Sequence, residues 1–360
     1  MQPPVNYETS CSIAFKLSVL ICTYNGANRI SETLERLAAQ ALVPKDKWEV
    51  LLINNASSDN TAGIASQISE TFPVPMRVLH EARPGKASAL RTAFFAARGE
   101  YYCIVDDDNL LEPDYLANGI DFLDRHPSLA FIGGRTIPRF PAGTTPPADF
   151  QDQYAPFLAC YDNGPEIIWN YVVPGAGQMG RVALLRGIYE QIGTRLEDRV
   201  GDGVGCCEDL EKGNICRRLG WQCAHVPTLR LYHVLTTRRL TSTYIDDLSC
   251  AAVSTIPWLR LVSGDDPDSV TWRTLQGISD VVRVVKYYLL SFAPPGLHPK
   301  LGRVSFWRRY YAARLRGYLS LMVDRRRIRA MLIAIRNAPA ELRPPSEVDS
   351  YEAFGSGKLC

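Results

Sequence analysis

The sequence predicts an α/β fold, a mostly parallel sheet with helices on both faces, and two observations carry that prediction. Between Lys16 and about Gly134, short β-rich runs alternate with helical stretches, the pattern of right-handed βαβ units. The last of these runs, Tyr101-Tyr102-Cys103-Ile104-Val105, ends abruptly in Asp106-Asp107-Asp108-Asn109. A buried strand therefore leaves the core at three adjacent carboxylates, on the sheet edge where ligands of open α/β sheets sit.

The elements follow in order. Strands are expected at LSVLIC (17–22), WEVLLI (48–53) and MRVLH (76–80), and helices at about 30–40, after Asp59, and from Pro84 to Ala97. Ser58 or Asp59 is placed to cap the second helix, and Gly99 sits just past the third. From Pro138 to Asn170 the chain is rich in Pro, Gly, Thr and aromatic residues, which predicts long binding loops. Helices return near 181–191 and 208–219, with Gly220 as a C-terminal stop. Beyond Leu240 the pattern is helical, with breaks expected at Pro257, at Gly264-Asp265-Asp266-Pro267 and at Ala293-Pro294-Pro295-Gly296. The expected division is an extension (1–15), a catalytic domain (16–245, halves 16–134 and 135–245), a helical region (246–340) and a flexible tail (341–360).

Composition narrows the partners. The chain has 360 residues, 46% hydrophobic and 22% charged, and its 40 basic against 38 acidic residues give no electrostatic footprint for nucleic acid. The first residues lack a basic stretch followed by an apolar one. The most apolar helical run, VVRVVKYYLLSF, is broken by Arg283 and Lys286, so no membrane span is expected. Ten cysteines lie inside apolar runs rather than in a disulfide framework, which points to the cytoplasm. Charge does concentrate between residues 300 and 330, where Lys300, Arg303, Arg308, Arg309, Arg314, Arg316, Arg325, Arg326, Arg327 and Arg329 stand against a lone Asp324. Such helices either lie on an anionic membrane as a peripheral contact or pack on the catalytic domain with their cationic tips in water.

Three like charges in a row repel, and a divalent cation relieves them. Asp106 and Asp108 alternate and can face one Mn²⁺ or Mg²⁺, with Asp107 turned elsewhere. At the end of the first strand, Thr23, Tyr24 and Asn25 offer a hydroxyl, a ring and an amide suited to a nucleobase and ribose. The second strand delivers Asn54 to the same edge, and Arg83, Lys86 and Arg91 are cations for phosphate. Glu208 and Asp209 open a helix, where one of them can serve as a general base or simply as a cap. His233 follows two β-rich runs and can ligate the same ion. No GxGxxG follows the first strand, which argues against a dinucleotide oxidoreductase.

The segments LSVLICTYNGA, VLLINNASSDNTAGIA, ARPGKASAL, YYCIVDDDNLLEPDYL, GAGQMGRVALL and GCCEDLEKGNICRRLGWQ together resemble family 2 glycosyltransferases over about residues 16–245. The resemblance implies a GT-A fold, a Rossmann-like sheet flanked by helices, here with a helical C-terminal extension. It implies inverting transfer from a nucleotide-diphosphate sugar to a hydroxyl of a saccharide or lipid-linked saccharide. It places Thr23, Tyr24, Asn25, Asn54, Lys86, Asp106 and Asp107 around the donor, and Gly175, Ala176 and Gly177 beside its sugar. Asp106 and Asp108 match the family's Asp-x-Asp motif, Asp209 of the Glu208-Asp209 pair matches the catalytic base, and His233 matches a histidine that completes the metal shell in some members. Asn54 departs from the aspartate common at the end of the second strand, which leaves the base preference open. A nucleotidyltransferase and a non-catalytic scaffold of the same fold are the competing readings.

Overall fold

The computed structural model describes residues 13–171, 173–196, 207–264, 270–290 and 304–345. Nearly all of the expected N-terminal extension, most of the expected tail, and the breaks at 265–267 and 293–296 lie outside the described residues. The first half forms as its alternation predicts: β1 (Phe15–Thr23), α1 (Ile30–Ala38), β2 (Trp48–Asn55), α2 (Thr61–Ser69), β3 (Met76–Glu81), α3 (Lys86–Ala96) and β4 (Gly99–Asp106). Every residue of β2 is buried, as a central strand covered on both faces requires. In α1 the buried Ile30, Leu34 and Leu37 recur at helical spacing and seat the helix on the sheet.

The second half completes the sheet with shorter pieces: β5 (Asn109–Leu111), α4 (Tyr115–Arg125), β6 (Leu129–Arg139), β7 (Ile168–Trp169), β8 (Met179–Arg181), α5 (Val182–Gly187), α6 (Glu208–Arg218) and β9 (Gln222–Val234). The strand order is β3-β2-β1-β4-β8-β6-β9-β5, with β7 also on β9. β3, β2, β1 and β4 are mutually parallel, and β8 joins β4 and β6 antiparallel. The sheet is thus mixed, and the two-residue β7 and three-residue β5 and β8 are too short for a periodicity argument. Register brings the key residues to one edge, because Thr23 pairs with Asn54, Cys22 with Asp106, and Asn109 with His233.

The sheet separates two apolar cores. One holds Leu17, Val19, Ile21, Leu34 and Leu123; the other holds Leu20, Leu51, Ile104, Phe94 and Leu185, so alternate residues of β1 face opposite sides. The second core extends into the C-terminal helices α7 (Ser242–Ser263), α9 (Val304–Val323) and α10 (Arg325–Arg336), while α8 (Val270–Leu290) packs on α9 outside it. Trp258 of α7 and Ile328, Met331 and Ile335 of α10 are buried in it. Of the two placements open for the basic helices, packing on the catalytic part therefore holds for α10.

Two expectations are corrected. Pro257 does not break the helix: α7 runs through it. Its ring is buried beside Gly317 of α9, where an added Cβ would meet Ser254 O at 2.2 Å and Pro257 Cγ at 3.2 Å. Tertiary packing thus outweighs the lost backbone hydrogen bond. Residues 341–345, expected to begin the tail, dock on the domain instead. Leu342 is buried, and its carbonyl accepts the Trp221 indole N–H at 2.9 Å.

Candidate active site

The site is built at the ends of β1, β2 and β4. Thr23, the last residue of β1, donates its hydroxyl to Asp107 Oδ2 at 2.6 Å. Arg29 pairs with the same carboxylate at 2.9 Å, and Thr33 Oγ1 donates to the Asp107 carbonyl at 3.0 Å. Burial and the neighbouring Asp108 push the Asp107 carboxyl up from its ordinary range. Asp107, expected among the donor residues, is committed to bracing the β1–α1 turn against the acidic segment. Gly26 is part of this brace, since an added Cβ would stand 2.2 Å from Thr23 Oγ1 and 2.5 Å from Asp107 Oδ2. We expect Gly26→Ala to cost about 1–3 kcal/mol by overpacking. Urea unfolding of the variant and parent measures this, and equal midpoints would show that the turn yields freely.

Tyr24 is 41% exposed, which leaves its ring available to a flat ligand. Asn25 takes the left-handed conformation, φ 48°, one that asparagine tolerates better than most residues, and its side-chain oxygen accepts the Ser58 N–H at 2.8 Å. The Asn54 side-chain oxygen accepts the Ser57 N–H at 3.3 Å, so the acceptor it offers to a base is already engaged by the turn. Asp59 shapes the α2 entry by accepting the Thr61 N–H at 3.1 Å.

Asn55, to which the sequence reading gave no role, organises the cationic loop. Its amide donates to Arg83 O at 2.7 Å and its oxygen accepts the Gly85 N–H at 2.7 Å. Gly85, at φ 123°, turns the chain so that α3 begins at Lys86. Lys86 Nζ then pairs with Asp106 Oδ1 at 2.6 Å.

Gly175, Ala176 and Gly177 form a turn beside this pair. Gly177 is held by Tyr115, whose hydroxyl donates to its carbonyl at 2.7 Å, and by its own N–H to Ile104 O of β4 at 2.9 Å. A Cβ on Gly175 would lie 4.0 Å from Lys86 Nζ, and the Gly175 N–H donates to Asp209 Oδ2 at 3.0 Å. Asp106, Lys86, Gly175 and Asp209 thus meet at one place. Burial and the neighbouring Glu208 push the Asp209 carboxyl up, against the backbone N–H groups of Leu210 and Gly175. Glu208 itself pairs with the buried Lys212 one turn on and is engaged away from this point. Cys207, at φ 73°, places α6 so that its first turn points here.

Asp108 stands on the other side of Asp107. Arg239 pairs with Asp108 at 2.9 Å, and its guanidinium faces His233 Nε2 at 2.5 Å. His233 Nδ1 meets the Leu158 carbonyl at 2.9 Å, which assigns the proton to Nδ1 and a lone pair to Nε2. His233 Nε2 lies 3.6 Å from Asp108 Oδ1. Burial alone would raise the Asp108 pKa, but the charge of Arg239 holds it well below the usual carboxylate range. Asp108 and His233 form a carboxylate–imidazole pair of the kind that divalent ions use. Asp106, expected in the same set, turns to Lys86. Among the described residues, no three His, Cys, Asp or Glu side chains close around one point. The physical reason is that each carboxylate takes the nearest fixed cation of the chain. Arg239 was invisible to motif reasoning because TTRRL carries no pattern tying it to an aspartate far away in sequence.

Residues 18–180 match the family model described as Glycosyl transferase family 2. Over that stretch, somewhat under half of its length, the chain is similar to that family. Among curated proteins similar to this chain, the poly(ribitol-phosphate) beta-N-acetylglucosaminyltransferase TarS of Staphylococcus aureus is 28% identical over 130 residues, covering 34% of this chain and 22% of TarS. The probable glycosyltransferase YdaM of Bacillus subtilis is 35% identical over 100 residues, covering 27% of this chain and 24% of YdaM. The match therefore spans about a quarter or less of those relatives' length. In three dimensions the mannosyltransferase PcManGT of Pyrobaculum calidifontis, solved with GDP-Man and Mn²⁺, aligns over 94% of this chain and 80% of its own with a TM-score of 0.50 at 19% identity. The fold of this chain is accordingly GT-A, with helices α7–α10 in its C-terminal region.

Proposed function

We propose that this chain is an inverting glycosyltransferase that moves a sugar from a nucleotide-diphosphate donor to a hydroxyl of a saccharide or lipid-linked saccharide. The supporting observation is the meeting of the Lys86–Asp106 pair with Asp209 across Gly175, which puts a cation for a leaving phosphate beside a buried base. A fold neighbour held with GDP-Man and Mn²⁺ agrees with a nucleotide-sugar donor.

Asp209, with its raised proton affinity, accepts the proton of the acceptor hydroxyl as that oxygen bonds to the anomeric carbon. The bond from that carbon to the diphosphate oxygen breaks, and the electron pair leaves with the phosphate. Attack from the opposite face inverts the centre, and no enzyme nucleophile is needed. Lys86 is placed to receive the growing charge, exchanging Asp106 for a phosphate oxygen. Thr23, Tyr24, Asn25 and Asn54 border the base and ribose, and Gly175, Ala176 and Gly177 the sugar. Asp108 and His233, joined by Asp106 once it leaves Lys86, would hold Mn²⁺ or Mg²⁺, which when bound would supply Lewis-acid stabilisation of the diphosphate. The test is a panel of nucleotide sugars with Mn²⁺, read by free nucleotide. Nucleoside diphosphate released only when acceptor is present supports the proposal. Pyrophosphate release would mark a nucleotidyltransferase, and no release from any donor a scaffold.

The domain division follows the same reading, with donor binding in 16–134, acceptor binding in 135–245 and the helical region from 246. Peripheral contact with an anionic membrane, at its cytoplasmic face, belongs to the proposal too. No helix among the described residues is long and apolar enough to cross a membrane. In α8, however, Ile278, Val281, Val282, Val285 and Leu289 are all exposed, Leu289 by 63%, and their spacing makes one helical stripe. Because α10 shares the core, point changes are preferable to deletion. Val282→Asp/Leu289→Asp is expected to leave the floating fraction of anionic liposomes while the parent stays in it. Equal flotation would discard the contact.

A further inference from the structure

The first turn of α6 carries the carboxylates Glu208, Asp209 and Glu211, and two of them have internal partners. Glu211 accepts the N–H groups of Arg195 and Leu196, each at 2.8 Å, and the Trp258 indole N–H at 2.7 Å. Glu208 pairs with Lys212. Asp209 is left to the site, on the Gly175 N–H. Lys212 stands where the helix should be apolar. One and two turns on, Ile215, Cys216 and Leu219 are buried in the second core, and their spacing puts Lys212 on the same helical stripe. The lysine is 1% exposed and Glu208 6%. Burial alone would lower the Lys212 pKa, but the charge of Glu208 raises it, so the ammonium stays charged. A buried ion pair is weak evidence for stability, because well-packed apolar residues of similar volume often serve a fold as well or better. Stability therefore does not account for a charge in this stripe.

We propose that Lys212 is a positioning residue for the base: it ties Glu208 to the buried side of α6, so that Asp209 alone of that turn's carboxylates meets the acceptor hydroxyl. The role rests on the glycosyl-transfer reading. Burial and then the Glu208 charge oppose ionisation of Asp209, whereas the Lys212 charge favours it. Other titratable groups nearby do not compete. Burial pushes up the pKa of Tyr161, which lies within electrostatic reach of Asp209, and of Tyr189 and Cys22, which lie within reach of the Glu208–Lys212 pair. All three are neutral near pH 7. The Lys86–Asp106 pair, beyond Gly175, balances its own charge. Without Lys212, Glu208 becomes a second uncompensated carboxylate next to Asp209, and such neighbours hold a proton between them. A base that already holds a proton cannot accept one.

The test compares the full chain with Lys212→Met, Glu208→Gln and the double variant Glu208→Gln/Lys212→Met across pH. In Lys212→Met the acid limb of kcat/KM is expected to move up by at least about one pH unit, a loss of about tenfold on that limb, with donor affinity by calorimetry unchanged. In the double variant the limb should return to the parent's position or below it, and cooperative melting should persist. A merely structural lysine would lower the melting temperature and leave the limb in place. The proposal is overturned if the Lys212→Met limb coincides with the parent's, or if the double variant keeps the upward shift. Should Lys212→Met not melt cooperatively, Glu208→Gln carries the test: its limb is expected below the parent's, and coincidence overturns the proposal. A further readout needs no turnover. The difference in unfolding free energy between each chain and its Asp209→Asn counterpart bends at the pH where the folded Asp209 titrates. A chain that releases no nucleotide from any donor sinks the transfer reading. Even then, a bend at higher pH in the Lys212→Met background supports the hold of Lys212 on Asp209, and an unmoved bend removes it.

Discussion

Asp209→Asn is expected to lower the rate of sugar transfer by roughly a hundred- to ten-thousand-fold while donor affinity persists. The asparagine keeps the size of the side chain and one of the oxygens that accept from Gly175 and Leu210, but it cannot take a proton. The sign of its effect on stability follows from the raised pKa. A carboxyl whose proton affinity rises on folding favours the fold below the ordinary aspartate range and opposes it as pH climbs through the raised value. At neutral pH the substitution relieves that penalty and loses one hydrogen bond, worth about 1 kcal/mol. The melting temperature should therefore stay within a few degrees of the parent, which makes lost turnover readable as lost chemistry. In the parent, the acid limb of kcat/KM should fall above the titration range of an ordinary aspartate. Donor binding by calorimetry, single-turnover rates and a pH profile together decide the point. A variant that turns over normally takes Asp209 out of the base role.

The second large effect is expected at Asp108. Asp108→Asn strands the mostly buried Arg239, and breaking a buried ion pair from one side costs about 3–5 kcal/mol. Adding Arg239→Gln should restore most of that stability, because both charges are then gone, yet activity should remain lost with the carboxylate. Arg239→Gln alone should bind Mn²⁺ more tightly than the parent, since Arg239 is the cation now facing Asp108 and His233. Urea unfolding of the four-member cycle and electron paramagnetic resonance of bound Mn²⁺ give the two readouts. If Arg239→Gln leaves Mn²⁺ affinity untouched, Asp108 and His233 do not form the ion's seat.

Both predictions depend on neighbours the sequence could not supply. The donor-side strands and helices were legible because each is several residues long and buried in a pattern with a clear period, as in β2 and α1. The acidic segment, the Gly175–Gly177 turn and the Glu208-Asp209 pair were legible as motifs. Pro257 misled because a local helix-breaking rule yields to the close α7–α9 contact at Gly317. Asp107 was assigned to the donor because nothing in a run of three aspartates says which one turns inward to Thr23 and Arg29.

The sequence by itself determined the α/β class and the residue types carried to one edge of the sheet, Thr23, Asn54 and Asp106 among them, because periodicity and motif spacing are properties of neighbouring positions. Only the tertiary structure decided the partners: Lys86 for Asp106, Arg239 for Asp108, Gly175 for Asp209, and α10 for the sheet's second core. Charge pairing and packing act through space over a few ångströms, between groups such as Asp108 and Arg239 that lie far apart along the chain, and no local pattern encodes that proximity.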